Sequence, residues 1–343
     1  MTGLPLDSVG MFDLAAALPD QVAAAAQLGL NAANLPSHDD IENVVVLGMG
    51  GSGIAGNVIA SVAGPFMPVP INVVKGYEAP SSVSDGTLCF AISCSGNTEE
   101  TVEAAQSAAA AGARMVVLSS GGQLAELAET WGATHVALPE VPMPRAAIGS
   151  VSIPPLMVLE RVGLFPGAQQ YVADAVEQLN RRRDKLIMDG NPAQVLARQI
   201  ARTIPVAYGG GDLGEAAAYR FKCQVNENAK APAFSAGVPE MCHNEICGWG
   251  QHGDITRQIT SVVRFRHDFE HPQITRRFEL TWDIHDEVVH AVADIVAEGD
   301  GPLAQLFDLV IQGDFISLHM AAEAGVDPGP IPVLEDLKAA LAE

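Results

Sequence analysis

The segment Asn43-Val44-Val45-Val46-Leu47-Gly48-Met49-Gly50-Gly51-Ser52-Gly53-Ile54 passes from a valine-rich run through a glycine turn into a helical stretch. An unbroken apolar run of this length suits a strand buried on both faces, the habit of parallel sheets covered by helices. Outward from it, Ile71–Val74, Leu88–Ser93 and Arg114–Leu118 read as further buried strands, with a weaker fifth at Thr134–Ala137. Helical stretches at Ile54–Ala63, Thr98–Ala111 and Gln123–Thr130 separate most of them, and this alternation predicts a doubly wound α/β domain.

The same device recurs about 160 residues later, where strand Ile204–Tyr208 meets the glycine turn Gly209-Gly210-Gly211-Asp212 and then a helix over Leu213–Asn228. The chain therefore reads as a diverged tandem repeat of one fold. Between the copies lies a helical stretch, Ala168–Asp189, closed by the breaker cluster Gly190-Asn191-Pro192. Its triplet Arg181, Arg182 and Arg183 reads as a solvated helix face. The expected division is an N-terminal domain over 1–166, a connecting helix over 167–190 and a C-terminal domain over 191–343. Closing helices are expected at Phe307–Gly325 and Val333–Ala342.

A chain of 343 residues, 48% hydrophobic and 17% charged, has material for two packed cores. Its net charge of -22 excludes nucleic acid and anionic membrane as partners, so an anionic ligand must be captured locally. The five cysteines, Cys89, Cys94, Cys223, Cys242 and Cys247, contain no C-x-x-C, which points to a reducing cytoplasm rather than to disulfides or zinc. Histidines spread between positions 243 and 290 lack metal-ligand spacing, and no metal is expected. The N-terminus has no signal core, and no apolar run is long enough to span a bilayer.

Gly48-x-Gly50-x-x-Gly53 has the spacing of a dinucleotide fingerprint, but Ile71-Asn72-Val73-Val74-Lys75 lacks the acidic residue that would hold a ribose. No cofactor is expected. The glycines, Gly51 among them, still allow close backbone approach to a ligand, and Ser52 adds a hydroxyl at a helix start, so either a sugar site or a plain tight turn fits. Ser93-Cys94-Ser95-Gly96-Asn97-Thr98 follows a strand and precedes a helix. The hydroxyls of Ser93, Ser95 and Thr98, with the N–H groups of the helix start, make a neutral cup of donors suited to a phosphate monoester. Thr98 as a simple helix cap would explain one hydroxyl of the three.

These two loops, together with Pro144-Arg145-Ala146-Ala147-Ile148-Gly149 and His243-Asn244-Glu245-Ile246-x-Gly248-Trp249, resemble the bifunctional phosphoglucose/phosphomannose isomerase family of the sugar isomerase (SIS) superfamily. The likeness extends to the closing segment with Ser317-Leu318-His319-Met320-Ala321 and Lys338. It implies two tandem doubly wound SIS domains and interconversion of glucose 6-phosphate and fructose 6-phosphate, with mannose 6-phosphate as a further substrate. A sugar-phosphate sensor is the alternative that the same fold allows, although a sensor has no need of a base.

Aldose–ketose isomerisation moves a proton between neighbouring carbons through a cis-enediol, and one ionised carboxylate can perform both transfers. The resemblance assigns this to Glu227, in Asn226-Glu227-Asn228; by itself the residue reads as a helix-end glutamate. It assigns ring opening to His243, whose imidazole can give and take a proton near neutrality, although a lone loop histidine is ordinarily structural. Arg145, after the stiff segment Pro142-Met143-Pro144, supplies a fixed cation for the enediolate. Lys338 matches a lysine that approaches the substrate. The family further implies a homodimer in which His243 reaches the partner's site. A family threonine thought to make room for rotation about C2–C3 has no counterpart in Asp327-Pro328-Gly329-Pro330-Ile331-Pro332-Val333, which predicts weaker mannose turnover unless Gly329, smaller than threonine, leaves as much space.

Overall fold

A computed structural model describes residues 6–341. In chain order the elements are α1 (Met11–Ala16), α2 (Leu18–Leu30), β1 (Asn43–Leu47), α3 (Gly50–Ala63), β2 (Ile71–Val74), β3 (Thr87–Ile92), α4 (Glu99–Ala110), β4 (Arg114–Ser119), α5 (Gly122–Trp131) and β5 (Thr134–Ala137). There follow α6 (Ile148–Val162), α7 (Ala168–Leu186), α8 (Pro192–Ile200), β6 (Ile204–Gly210), α9 (Gly211–Gln224), β7 (Phe234–Val238), α10 (Gly253–Ile259), β8 (Thr260–Arg266), α11 (Pro272–Asp286), β9 (Ala291–Val296), α12 (Pro302–Ala324) and α13 (Pro332–Leu341). Packing divides the described chain into one unit of residues 17–180 and 298–308 and another of residues 6–16, 181–297 and 309–341.

The first unit is built on a five-stranded parallel sheet of order β2-β1-β3-β4-β5. Val44 of β1 pairs with Ile71 on one side and Leu88 on the other. Every residue of β3 is buried, which explains why its sequence shows no polar alternation. The edge strands β2 and β5 keep some exposure. Small residues let α4 and α5 lie close on one face: Ala104, Ala105, Ala108, Leu124 and Ala128 pack with Val45, Leu47, Cys89, Ala91 and Val117. Helix α3 packs on β1, β2 and α6, and α2 packs on α6.

The second unit has a four-stranded parallel sheet of order β7-β6-β8-β9, with a core that includes Tyr208, Val238, Met241, Val262 and Phe278. The architecture is α/β with two parallel sheets flanked by helices, as the alternation predicts. Three local expectations change: Arg182, within the triplet expected to be solvated, is buried in α7. Strand β6 continues through Gly209 and Gly210, which pair with Phe265 and Val238, so the turn begins only at Gly211. Glycine joins a ladder as readily as it turns, and here the pairing wins. Helix α3 likewise starts at Gly50, so Gly51, Ser52 and Gly53 form its first turn rather than a loop before it. Among the described residues no helix is long and apolar enough to cross a membrane.

Candidate active site

In the first unit the connections from β1 and β3 leave in opposite directions, through α3 to β2 and through α4 to β4. The crevice outside the carboxyl ends of two such strands is where open α/β sheets place ligands. Both glycine- and serine-bearing turns meet there: a Cβ on Gly48 would stand 3.1 Å from the carbonyl oxygen of Ile92.

Within the Ser93–Thr98 turn, the Ser93 and Thr98 hydroxyls share a hydrogen bond of 2.8 Å. Ser93 Oγ also accepts from the Gly96 N–H at 3.1 Å. Thr98 occupies the N-cap position of α4, but its side chain does not cap the helix. The simple-cap alternative therefore fails: the hydroxyl turns inward to Ser93, and the first turn of α4 keeps its N–H groups for another acceptor. Ser95 is exposed, and its Oγ accepts from the Asn97 N–H at 3.3 Å.

The turn is strapped to the segment that starts α5. Asn97 Oδ1 accepts from the Gln123 N–H at 2.9 Å, and the Cys94 carbonyl accepts from both the N–H and the hydroxyl of Ser120. Gly96, at φ +70°, has no room for a side chain because a Cβ would run into the Gly121 carbonyl. The cup is thus held rigid by groups outside it.

Ser52 is buried in the first turn of α3, near enough to the Cys94 thiol to influence it. Burial pushes the Cys94 thiol up, with Ser52 and the backbone at Cys94 pulling the other way. Gly51 is the point where Pro144–Ala146 crosses α3: a Cβ there would sit 3.4 Å from the Pro144 carbonyl and 3.5 Å from Arg145 Cα. Arg145 itself is buried, with Nη1 3.4 Å from Met143 Sδ. The fold thus gathers Gly51, Ser52, Ser93, Thr98 and the Arg145 backbone at one crevice.

In the second unit α9 ends at Gln224, and the next residues, Val225–Ala229, widen into a π turn that carries Glu227. Such single turns are frequent at functional sites. Glu227 is half-buried, and its neighbours are tied down on three sides. Asn226 Nδ2 donates to the Ala231 carbonyl at 2.9 Å. Buried Asn228 donates to Ser317 Oγ at 2.9 Å, whose hydroxyl donates to the Asp314 carbonyl. Asp314 in turn receives the bidentate guanidinium of buried Arg220. Lys230 closes the turn in the left-handed region at φ +55°, and its ammonium donates to the carbonyls of Glu227 at 2.7 Å and Pro328 at 3.1 Å.

His243 is exposed at the end of the single turn Glu240–His243, and Lys338 is exposed on α13. Glu227 precedes β7 on its amino-terminal side, whereas His243 lies beyond its carboxyl end. The five-residue strand β7, about 16 Å long, lies between them along the chain.

Sequence reasoning passed over two features. Lys230 belongs to none of the sequence motifs, and only its contact with Pro328, 98 positions away, gives it a place. Glu245 belongs to the His243-Asn244-Glu245 motif, yet its partner is Tyr208, 37 positions upstream, whose phenol donates to Glu245 Oε1 at 2.5 Å.

Residues 40–160 match the SIS domain model, and residues 189–341 match the model described as bacterial phospho-glucose isomerase C-terminal SIS domain. The bifunctional phosphoglucose/phosphomannose isomerase of Caldicellulosiruptor bescii is 34% identical over 337 residues, covering 97% of this chain and 99% of that protein. Its counterpart in Thermoplasma acidophilum is 31% identical, covering 86% and 88%. Among solved structures, the C-terminal domain of glucosamine-fructose-6-phosphate aminotransferase from Francisella tularensis superposes with a TM-score of 0.70 at 14% identity, covering 92% of this chain and 96% of that one. At that identity the likeness is one of fold.

Proposed function

The chain belongs to the bifunctional phosphoglucose/phosphomannose isomerase family, and from that premise we propose that it interconverts glucose 6-phosphate and fructose 6-phosphate through a cis-enediol. The observation that carries this reading is the Ser93–Thr98 hydroxyl pair, which leaves the start of α4 open at the β1/β3 crevice. A phosphate monoester would take its hydrogen bonds from these hydroxyls, from Ser95 and from the helix N–H groups, with the helix dipole favouring the negative charge. Gly51 and Ser52 would face the sugar.

Glu227 takes the proton from C2 of the aldose and returns it to C1 of the ketose, a transfer that needs one carboxylate able to reach both carbons. The bonds on Asn226, Asn228 and Lys230 support this role because they hold the backbone of the turn that carries it. Arg145 stabilises charge on the C1 and C2 oxygens as the enediolate forms, and Lys338 approaches the substrate from α13. His243 moves a proton between the ring oxygen and the C1 hydroxyl to open the ring. Its place beyond the far end of β7 from Glu227 favours a homodimer in which His243 serves the partner's site.

Mannose 6-phosphate is turned over more slowly than glucose 6-phosphate. A small residue at position 329 leaves no vacant space, because a Cβ on Gly329 would meet the Val9 side chain. Coupled assays starting from fructose 6-phosphate, with both aldoses measured on one preparation, test the reading. Absence of glucose 6-phosphate formation would contradict isomerase function, and a mannose rate equal to the glucose rate would contradict the substrate order.

A further inference from the structure

The turn that carries His243 is held from below by an aromatic group with no place in the chemistry above. Tyr208, on β6, is 1% exposed and its phenol donates to Glu245 Oε1 at 2.5 Å. The Trp249 indole N–H donates to the same phenol oxygen at 3.0 Å, so the hydroxyl is both donor and acceptor and its direction is fixed. Beneath them, His285 is also 1% exposed; its ring stacks on Tyr208 at 5.4 Å and meets Trp249 edge-on at 5.3 Å. The motif closes on itself above: Asn244 Nδ2 donates to Glu240 Oε1 at 2.7 Å, and Asn244 Oδ1 accepts from the Glu245 N–H at 2.6 Å.

We infer that Tyr208 and Glu245 are positioning residues for ring opening: the Trp249–Tyr208–Glu245 chain fixes the turn that presents His243. The inference rests on the proposed role of His243. An exposed imidazole on a short turn has no rigidity of its own, and proton transfer demands a donor held within hydrogen-bond reach of the ring oxygen. A bond between a buried phenol and a carboxylate is worth more than one between neutral groups, and it lies two residues from His243. Burial and the Glu245 carboxylate push the Tyr208 phenol up, so it remains a donor across the working pH range.

The α and β anomers of fructose 6-phosphate interconvert only by opening and closing the ring, with no carbon-bound proton moved. Catalysed anomerisation therefore reports ring opening apart from isomerisation. It can be measured by magnetisation exchange between the two anomers for wild type, H243A, Y208F and E245Q. Y208F and E245Q are expected to lower catalysed anomerisation by about tenfold or more, the loss attached to a hydrogen bond with a charged partner, with the Michaelis constant changed less than about twofold. E245Q keeps the shape of the side chain and covers the case in which Y208F folds poorly. If H243A loses anomerisation while both other variants keep it, the positioning role is overturned and His243 stands. If H243A keeps it, the role of His243 itself falls, and the positioning role with it.

Discussion

Ser93 and Thr98 share a 2.8 Å hydrogen bond across the turn between β3 and α4, and this contact takes from α4 the cap that Thr98 would otherwise provide. An uncapped helix start beside two hydroxyls is a stable arrangement when an anion completes it.

Replacing Ser93 and Thr98 together with alanine is expected to raise the Michaelis constant for fructose 6-phosphate by about 10²–10⁴-fold, since hydrogen bonds to a charged partner contribute about 1.5–3 kcal/mol each. Initial-rate kinetics on the double variant check this. An unchanged constant would remove the turn from the phosphate site.

The separation of Glu227 and His243 by the length of β7 makes an assembly prediction. If each site takes Glu227 from one protomer and His243 from its partner, mixing E227Q and H243A proteins under subunit exchange creates hybrids with one intact and one doubly altered site. Turnover of cyclic glucose 6-phosphate is expected to rise well above that of either parent. No gain after verified exchange would place both residues in one protomer's site.

Several of these features are legible in the amino-acid sequence. The buried runs of β1, β3 and β4 declare a parallel sheet because nothing polar interrupts them, and the clustering of Ser93 and Thr98 in one turn between strand and helix is visible in the order of residues. Other features depend on contacts that spacing does not encode. Gly209 and Gly210 read as a turn, yet neighbouring strands recruit them into β6. The π turn at Val225–Ala229 carries no local signature distinguishing it from a continuing helix, and the bond between Tyr208 and Glu245 joins residues from separate elements. The direction in which the Thr98 hydroxyl turns is likewise a matter of three-dimensional placement.

His285 gives a stability prediction. It is buried, neither ring nitrogen has a hydrogen-bond partner among the described residues, and burial followed by the nearby Arg264 charge lowers it from 6.5 to about 4. Above pH 6.5 the ring is neutral in folded and unfolded chains alike, and its contribution is complete. As the pH falls from 6.5 toward 4, the unfolded chain takes up a proton that the folded one refuses, so stability drops by up to about 1.4 kcal/mol per pH unit. Urea unfolding of wild type and H285F between pH 7 and pH 4.5 checks this, phenylalanine keeping the stack on Tyr208. Parallel pH profiles for the two proteins would show that His285 does not titrate in this way.

The most direct measurement is the isomerisation rate of E227Q, which keeps the size of the side chain on the π turn and removes its basicity. Interconversion of glucose 6-phosphate and fructose 6-phosphate is expected to fall by about 10²–10⁴-fold, with substrate still bound and fructose 6-phosphate anomerisation still catalysed. A variant that keeps most of its isomerisation rate would contradict proton transfer by Glu227.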